Sequence, residues 1–109
     1  IAEKGRFEKP YLGIEGIDQE MVKLMNLDVR VDSGIYVADV EKGSPAYKAG
    51  IREKDIITKM AGKQVNSMAK LRQIIYDIGV GNPADVEIMR NGKTIKTRVV
   101  LLQVPRGNS

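Results

Sequence analysis

The sequence predicts an α+β domain, built as a partly open barrel or sandwich of five or six short strands that helices cap. Three observations lead to this class. Short apolar runs with strand-like alternation recur along the chain. The pair Ser44-Pro45 has the chemistry of a helix start, and an amphipathic helical pattern covers residues 68–78. The 109 residues are enough for one domain with one hydrophobic core.

The predicted strands lie where apolar residues alternate or cluster between turn residues. In chain order they cover residues 11–16, 35–40 and 55–60, a stretch through 86–88, and about 94–102. The dipeptide Asn91-Gly92 is a strong hairpin signal, because both residue types adopt positive φ readily. We therefore expect the last two strands to pair with each other.

Each predicted helix follows a residue whose side chain can accept a hydrogen bond from the first helical turn. The helices cover about 18–27, 45–49 and 68–78, and begin at Asp18, at Ser44 and at the pair Asn66-Ser67. Gly50 and Gly79 follow the second and third helices, where glycine suits the left-handed conformation that ends a helix.

Composition along the chain suggests where the domain begins and ends. Residues 1–9 are charged and irregular and are predicted to form a linker from an upstream domain, whereas residues 105–109 form a polar tail. The domain itself is expected over 10–104. Because the chain opens abruptly at Ile1 with no visible signal peptide, we expect it to be a piece of a longer protein.

The composition excludes several functional classes. With no cysteine and no histidine, the chain has no disulfide, no thiolate metal site and no Ser-His-Asp triad. Its carboxylates are scattered, so we expect no catalytic residue, no metal and no cofactor. The net charge of +4 forms no basic stripe with interleaved aromatics, which argues against nucleic-acid binding. No apolar run approaches the roughly 18 residues of a membrane span, so no direct membrane insertion is expected.

The segment Tyr11-Leu12-Gly13-Ile14 is the strongest candidate for a binding site. Glycine lets the backbone turn so that successive N–H groups point into one concavity. Such a concavity suits an anion, for example the terminal carboxylate of a peptide. Leu12 and Ile14 would then wall an apolar pocket beside it. The alternative is that both are ordinary core residues of a strand.

Several motifs downstream of this segment occur in the order typical of one family. The chain resembles the PDZ family over most of its length, through Tyr11-Leu12-Gly13-Ile14, Gly43-Ser44-Pro45-Ala46, Ala49-Gly50-Ile51, Asp55-Ile56-Ile57, the helix from Met68, and Arg90-Asn91-Gly92-Lys93. More narrowly, it is similar to the PDZ domain of HtrA-like (Deg-type) serine proteases. The bacterial form of that fold is circularly permuted, so the last strand, at about 94–102, would take the place of the strand that precedes the loop in animal PDZ domains.

The resemblance implies that the C-terminus of a peptide binds between the strand that begins at Leu12 and the helix that begins at Met68. Backbone N–H groups of Leu12, Gly13 and Ile14 would hold the carboxylate, within the binding loop formed by residues 11–14. Glu15 and Gly16 would pair with the peptide as an added strand.

Helical spacing divides the long helix into two stripes, and the resemblance assigns one of them to the groove. Met68, Arg72 and Ile75 would face the groove. A second stripe, formed by Leu71, Ile74 and Ile78, would face the core. Two interpretations of Arg72 stay open: selection of an acidic or polar side chain upstream in the peptide, or a solvated guanidinium on a packed stem.

The function that the resemblance implies is a regulatory and substrate-recognition module of an HtrA-like protease. It would capture C-termini of unfolded or partner proteins, with no hydrolytic activity of its own. The parent would be an extracytoplasmic serine endopeptidase, secreted or tethered to a membrane, and it could be a homo-oligomer through its protease domain. Two alternatives remain: a structural contact domain that controls access to the protease active site, or a PDZ unit of another membrane protease or of a secretion protein.

Overall fold

The computed structural model describes residues 10–26 and 33–103. The strands in these residues are β1 Pro10–Tyr11, β2 Ile14–Ile17, β3 Ile35–Val40, β4 Ile56–Met60, β5 Lys63–Gln64, β6 Pro83–Arg90, β7 Lys93–Val100 and β8 Leu102–Gln103. The helices are α1 Gln19–Met25, α2 Pro45–Lys48 and α3 Met68–Ile78. The predicted linker over 1–9 and the predicted tail over 105–109 lie outside the described residues.

The strand pairs of the described residues are antiparallel and form two sheets. In the larger, six-stranded sheet the order is β2-β3-β4-β6-β7, with the short β5 paired to β4. β1 and β8 form a two-stranded sheet. The predicted hairpin is confirmed, because β6 and β7 pair in register across Asn91 and Gly92, whose φ values are 54° and 79°. The predicted α+β class is therefore confirmed.

The helix starts are confirmed by their capping hydrogen bonds. Each capping side chain accepts from the N–H three residues further on: Asp18 from Met21 at 2.8 Å, Ser44 from Tyr47 at 3.2 Å and Ser67 from Lys70 at 3.1 Å. These bonds satisfy N–H groups that have no partner inside the helix. Helix α3 has the predicted bounds, and α2 ends at Lys48 with Ala49 as its cap.

The core lies between the six-stranded sheet and helices α2 and α3. Its fully buried side chains come from both layers and include Ile35, Ile51, Ile57, Met60, Leu71, Val86, Ile88 and Leu101. Helix α3 is amphipathic and buries one face there. Helix α1 buries none of its residues, and Leu24 is 78% exposed, so α1 lies outside the core.

Several strand boundaries differ from the prediction, and the short strand β5 has no predicted counterpart. The predicted strand over 11–16 is two strands, because the backbone turns at Gly13 with a φ of 88°. Pro83, predicted in a turn, begins β6, a place that suits a residue without an N–H group. The predicted last strand stops at Val100, and β8 then pairs with β1 beside the loop.

Asp55, predicted to be one of several scattered carboxylates, is buried and paired. Its side chain is 2% exposed, and Arg90 donates to both carboxylate oxygens, at 2.8 Å and 2.7 Å. Arg90 also donates to the Gly50 carbonyl, and the Arg52 N–H donates to Asp55. This cluster joins the β6–β7 hairpin to the segment that follows α2.

Candidate peptide-binding site

Residues 12–13, which we call the turn loop, connect β1 to β2 and direct their carbonyl groups into the domain. The Leu12 carbonyl accepts from the Ala46 N–H at 3.0 Å, and the Gly13 carbonyl accepts from the Glu41 N–H at 2.8 Å. A trans peptide places its C=O and N–H on opposite sides. The N–H groups of Gly13 and Ile14 therefore point away from the segment that holds the carbonyls. Among the described residues, no acceptor is paired with the Gly13 N–H.

The turn loop requires glycine for two reasons. The φ of 88° at Gly13 lies in the region that side chains rarely adopt. A Cβ atom at this position would also lie 2.6 Å from Oγ of Ser44. Ser44 is itself fully buried and caps α2. The loop is thus held against the start of α2 by close packing as well as by hydrogen bonds.

Strand β2 lies at one edge of the six-stranded sheet. It pairs with β3 on one side, where Ile14 is opposite Val40 and Glu15 is opposite Asp39. Because Gly13 and Glu41 form the bond that flanks the first pair, Ile14 directs its own N–H and C=O to the other side. Among the described residues, no strand occupies that side. An unpaired edge of this kind can accept a further strand.

A cleft of about 470 Å³ lies between the turn loop, β2 and helix α3. Its lining residues are Pro10, Tyr11, Leu12, Gly13, Ile14, Glu15, Asp39, Glu41, Met68, Leu71, Arg72, Ile75 and Tyr76. Its aliphatic lining side chains are buried or half-buried and form its floor, whereas the charged ones are exposed and lie at its rim. The cleft can take up an apolar side chain directly beside the two N–H groups that point away from α2.

Eight of the nine predicted site residues line this cleft: Tyr11, Leu12, Gly13, Ile14, Glu15, Met68, Arg72 and Ile75. The ninth, Gly16, lies on β2 outside the lining and packs under Met68. The two interpretations of Leu12, as a core residue and as a pocket wall, are compatible. Its side chain is only 4% exposed and belongs to the core, and it also lines the cleft. Ile75, 6% exposed, combines the same two roles.

Five lining residues were not among the predicted site residues: Pro10, Asp39, Glu41, Leu71 and Tyr76. Leu71 was predicted to face the core, and it does so at 1% exposure while its side chain also reaches the cleft. Tyr76 follows Arg72 by four residues, so helical spacing was the signal that could have found it. Asp39 and Glu41 reach the cleft through the pairing of β3 with β2, for which the sequence carries no local signal.

The rim of the cleft is mainly acidic. Glu15, Asp39 and Glu41 lie on the sheet side, and Arg72 is the one basic residue among the described lining residues. Burial raises the pKa of Tyr11, and the nearby Glu41 carboxylate raises it further. The Tyr11 hydroxyl therefore stays protonated and can donate a hydrogen bond at the mouth of the cleft.

Two negative observations concern the described ranges, 10–26 and 33–103. They contain no group of three or more carboxylates placed to hold a metal ion. None of their helices has the length and apolar character needed to cross a membrane.

Comparison with known proteins places the chain in a family. The family model described as PDZ domain matches residues 10–101. The serine protease Do-like HtrA of Bacillus subtilis is 35% identical over an alignment 111 residues long, which covers 94% of this chain and 25% of that protein. The periplasmic pH-dependent serine endoprotease DegQ of Escherichia coli is 37% identical, over 89% of this chain and 21% of that protein. The chain thus spans about a quarter of the relatives' length or less.

A solved structure agrees with this assignment. The HtrA3 PDZ domain bound to a phage-derived ligand, FGRWV, superposes with a TM-score of 0.68 at 26% identity, with 88% of each chain covered. The chain belongs to the PDZ domain family. Within it, the chain is related to the PDZ domains of HtrA and Deg serine proteases, as the sequence motifs predicted.

Proposed function

We propose that this domain binds the C-terminal segment of partner polypeptides, which adds as a strand to the free edge of β2. The observation that carries this proposal is the orientation of the Gly13 and Ile14 N–H groups beside an apolar cleft and an unpaired strand edge. N–H groups that converge on one point suit a carboxylate. The HtrA3 PDZ domain, which was solved with the phage-derived ligand FGRWV bound, supports peptide binding as the function of this fold.

The main-chain geometry of Ile14 sets the register of the added strand. Its C=O points to the free edge and can accept from the N–H of the last peptide residue. The terminal carboxylate would then reach the turn loop, and the terminal side chain would enter the cleft between Leu12 and Ile75. Burial of one aliphatic side chain contributes roughly 1.5–3 kcal/mol. A binding site with so few contacts typically has a dissociation constant near the micromolar range, which corresponds to a binding free energy of about −8 kcal/mol.

The role of the domain in its parent follows from the relatives. Those are serine proteases several times longer than this chain, and some are periplasmic. We propose an extracytoplasmic HtrA-like parent in which the domain delivers substrates, or favours the active protease through its greater affinity for peptide in that state. The domain itself carries no hydrolytic activity in this proposal.

Carboxylate capture is tested with two fluorescent pentapeptides that differ only in a free or an amidated C-terminus. We expect the amide to bind at least about tenfold more weakly, since it loses a charge-assisted interaction with the N–H groups. Fluorescence anisotropy gives both dissociation constants. Equal affinity for the two peptides would reject carboxylate capture.

A structural contact role is the second candidate, and helix α1 favours it. Leu24 and Met25 are 78% and 59% exposed, which is unusual for adjacent large apolar side chains. A contact made by this helix predicts concentration-dependent self-association of the domain in analytical ultracentrifugation. The double variant Leu24→Ser, Met25→Ser would remove that association. A strictly monomeric domain would exclude a contact between copies of this chain.

A further inference from the structure

Asp18 is a buried carboxylate that belongs to two helix starts. It follows the edge strand β2 directly and is 5% exposed. One oxygen, Oδ1, accepts from the Met21 N–H at 2.8 Å and caps α1. The other, Oδ2, accepts from the Met68 N–H at 2.8 Å, at the first residue of α3 and 50 positions away. Both bonds place a negative charge at the positive end of a helix dipole.

The bond to Met68 does more than cap a helix. Helix α3 already has its own cap, because Ser67 Oγ accepts from the Lys70 N–H at 3.1 Å. The bond from Asp18 instead joins the start of α3 to the end of β2. These two elements are the opposite walls of the cleft, so this bond fixes their separation at one end.

The Met68 side chain lies against the backbone of Gly16 at this end. A Cβ atom on Gly16 would lie 2.7 Å from Met68 Sδ and 2.6 Å from Ile35 Cγ2. The backbone φ of Gly16 is not positive, so close packing rather than backbone conformation favours glycine here. The space above Gly16 on the helix side of β2 is therefore filled by the Met68 thioether.

Strand addition brings one peptide residue to this place. With the last peptide residue opposite Ile14, an antiparallel strand puts the residue two positions earlier opposite Gly16. Directly opposed side chains lie on the same face of a sheet. The side chain of that residue, third from the C-terminus, therefore points at Met68, whereas the terminal side chain points into the open cleft.

We infer that Asp18 is a positioning residue that holds Met68 over the edge strand and so restricts the third residue from the peptide C-terminus to small side chains. This inference rests on the proposed function, because it needs the peptide to add to β2. Glycine, alanine and serine fit without moving Met68. A leucine or tryptophan must displace the thioether, while the bond to Asp18 prevents α3 from moving outward.

The test uses labelled pentapeptides of the form Ser-Gly-X-Ala-Val with a free carboxylate, in which X is Gly, Ala, Leu or Trp. For the native domain we expect X = Ala to bind about tenfold more tightly than X = Leu or Trp, the penalty typical of an overpacked site. Met68→Ala is expected to remove this preference. Asp18→Asn keeps one oxygen but replaces the other with an NH₂ donor, so it cannot accept from both helices, and we expect the preference to fall below about threefold.

Ser67→Ala is the matched control, since it weakens the start of the same helix without releasing it from β2. We expect lower stability with an unchanged preference for small residues. Native binding of X = Leu as tightly as X = Ala would overturn the inference, and so would an equal loss of selectivity in Ser67→Ala and Asp18→Asn. If Asp18→Asn does not fold, Met68→Ala decides: a retained preference overturns the inference. If binding requires the free carboxylate but does not depend on the size of X, only this inference is overturned. If the amidated peptide binds as tightly as the free acid, the proposed function is overturned as well.

Discussion

Gly13 lies so close to Ser44 that a Cβ atom on the glycine would overlap the serine Cβ and lie 2.6 Å from its Oγ. Ser44 is fixed in turn, because it is buried and caps α2. The position of α2 therefore determines where the N–H groups of the turn loop lie. A loop held this way is preorganised, so a ligand need not order it on binding.

Gly13→Ala should lose both stability and peptide affinity. The substitution meets an unfavourable φ and a steric overlap with Ser44, so we expect destabilisation above about 2 kcal/mol and at least tenfold weaker binding. Urea unfolding and anisotropy measure the two effects. Gly92→Ala is the control, because its φ is 79° but no atom lies within 4 Å of the added Cβ. We expect Gly92→Ala to lower the unfolding free energy by about 1 kcal/mol and to leave peptide affinity unchanged. An equal loss of affinity in both variants would contradict the role of the turn loop in binding.

Asp55→Asn should destabilise the fold, because it leaves Arg90 facing a neutral partner in a buried network. Loss of one partner of a buried pair costs about 3–5 kcal/mol, and we expect the lower end because the Arg90 side chain is 36% exposed. Asp85→Asn is the control, since its ion pair with Arg98 is largely exposed and should contribute little. Denaturant unfolding at pH 7 gives both values. Equal stability of the two variants would show that the buried pair contributes no more than the exposed one.

The same carboxylate predicts how stability depends on pH. Burial alone would raise the pKa of Asp55, but hydrogen bonds from the Arg90 side chain and the Arg52 N–H outweigh it and hold the pKa below its usual value. The unfolded chain then binds the proton more readily. The contribution of Asp55 is therefore complete above the unfolded pKa of about 4 and is lost as the pH falls from there through the folded pKa.

This pH dependence is measured as the difference in unfolding free energy between the native domain and Asp55→Asn. The difference should be constant from pH 5 to pH 7, since the carboxylate is ionised in both states there, and should shrink below about pH 4. A difference that grows on acidification would have the wrong sign and would contradict the lowered pKa.

Arg72→Glu should weaken the binding of a peptide with a free carboxylate. Arg72 is the basic residue of an otherwise acidic rim, so its reversal adds a fourth acid to the rim of the cleft and repels an anionic peptide. We expect about three- to tenfold weaker binding at low salt, and a smaller effect at 0.5 M salt where exposed charges are screened. Lys70→Glu reverses a charge on the same helix away from the cleft lining. An equal effect of both variants would indicate a general charge effect rather than a role for Arg72.

Residue types and their spacing were sufficient to predict much of the local structure of this protein. Asp18, Ser44 and Ser67 cap helices as predicted, α3 has its predicted bounds, and Asn91-Gly92 forms the predicted hairpin. These features depend on contacts between residues three or four positions apart, which residue type and spacing largely decide. The order of the motifs was also enough to indicate the family.

Contacts between residues that are distant in the sequence could not be predicted in this way and are seen in the folded domain. The second oxygen of Asp18 reaches the start of α3, Asp55 pairs with Arg90, and Asp39 lies at the cleft through its pairing with Glu15. Such contacts depend on strand register and helix packing, and a change of one residue in register moves every side chain of a strand to the other face. The width of the cleft and the charge of its rim are therefore properties of the assembled fold.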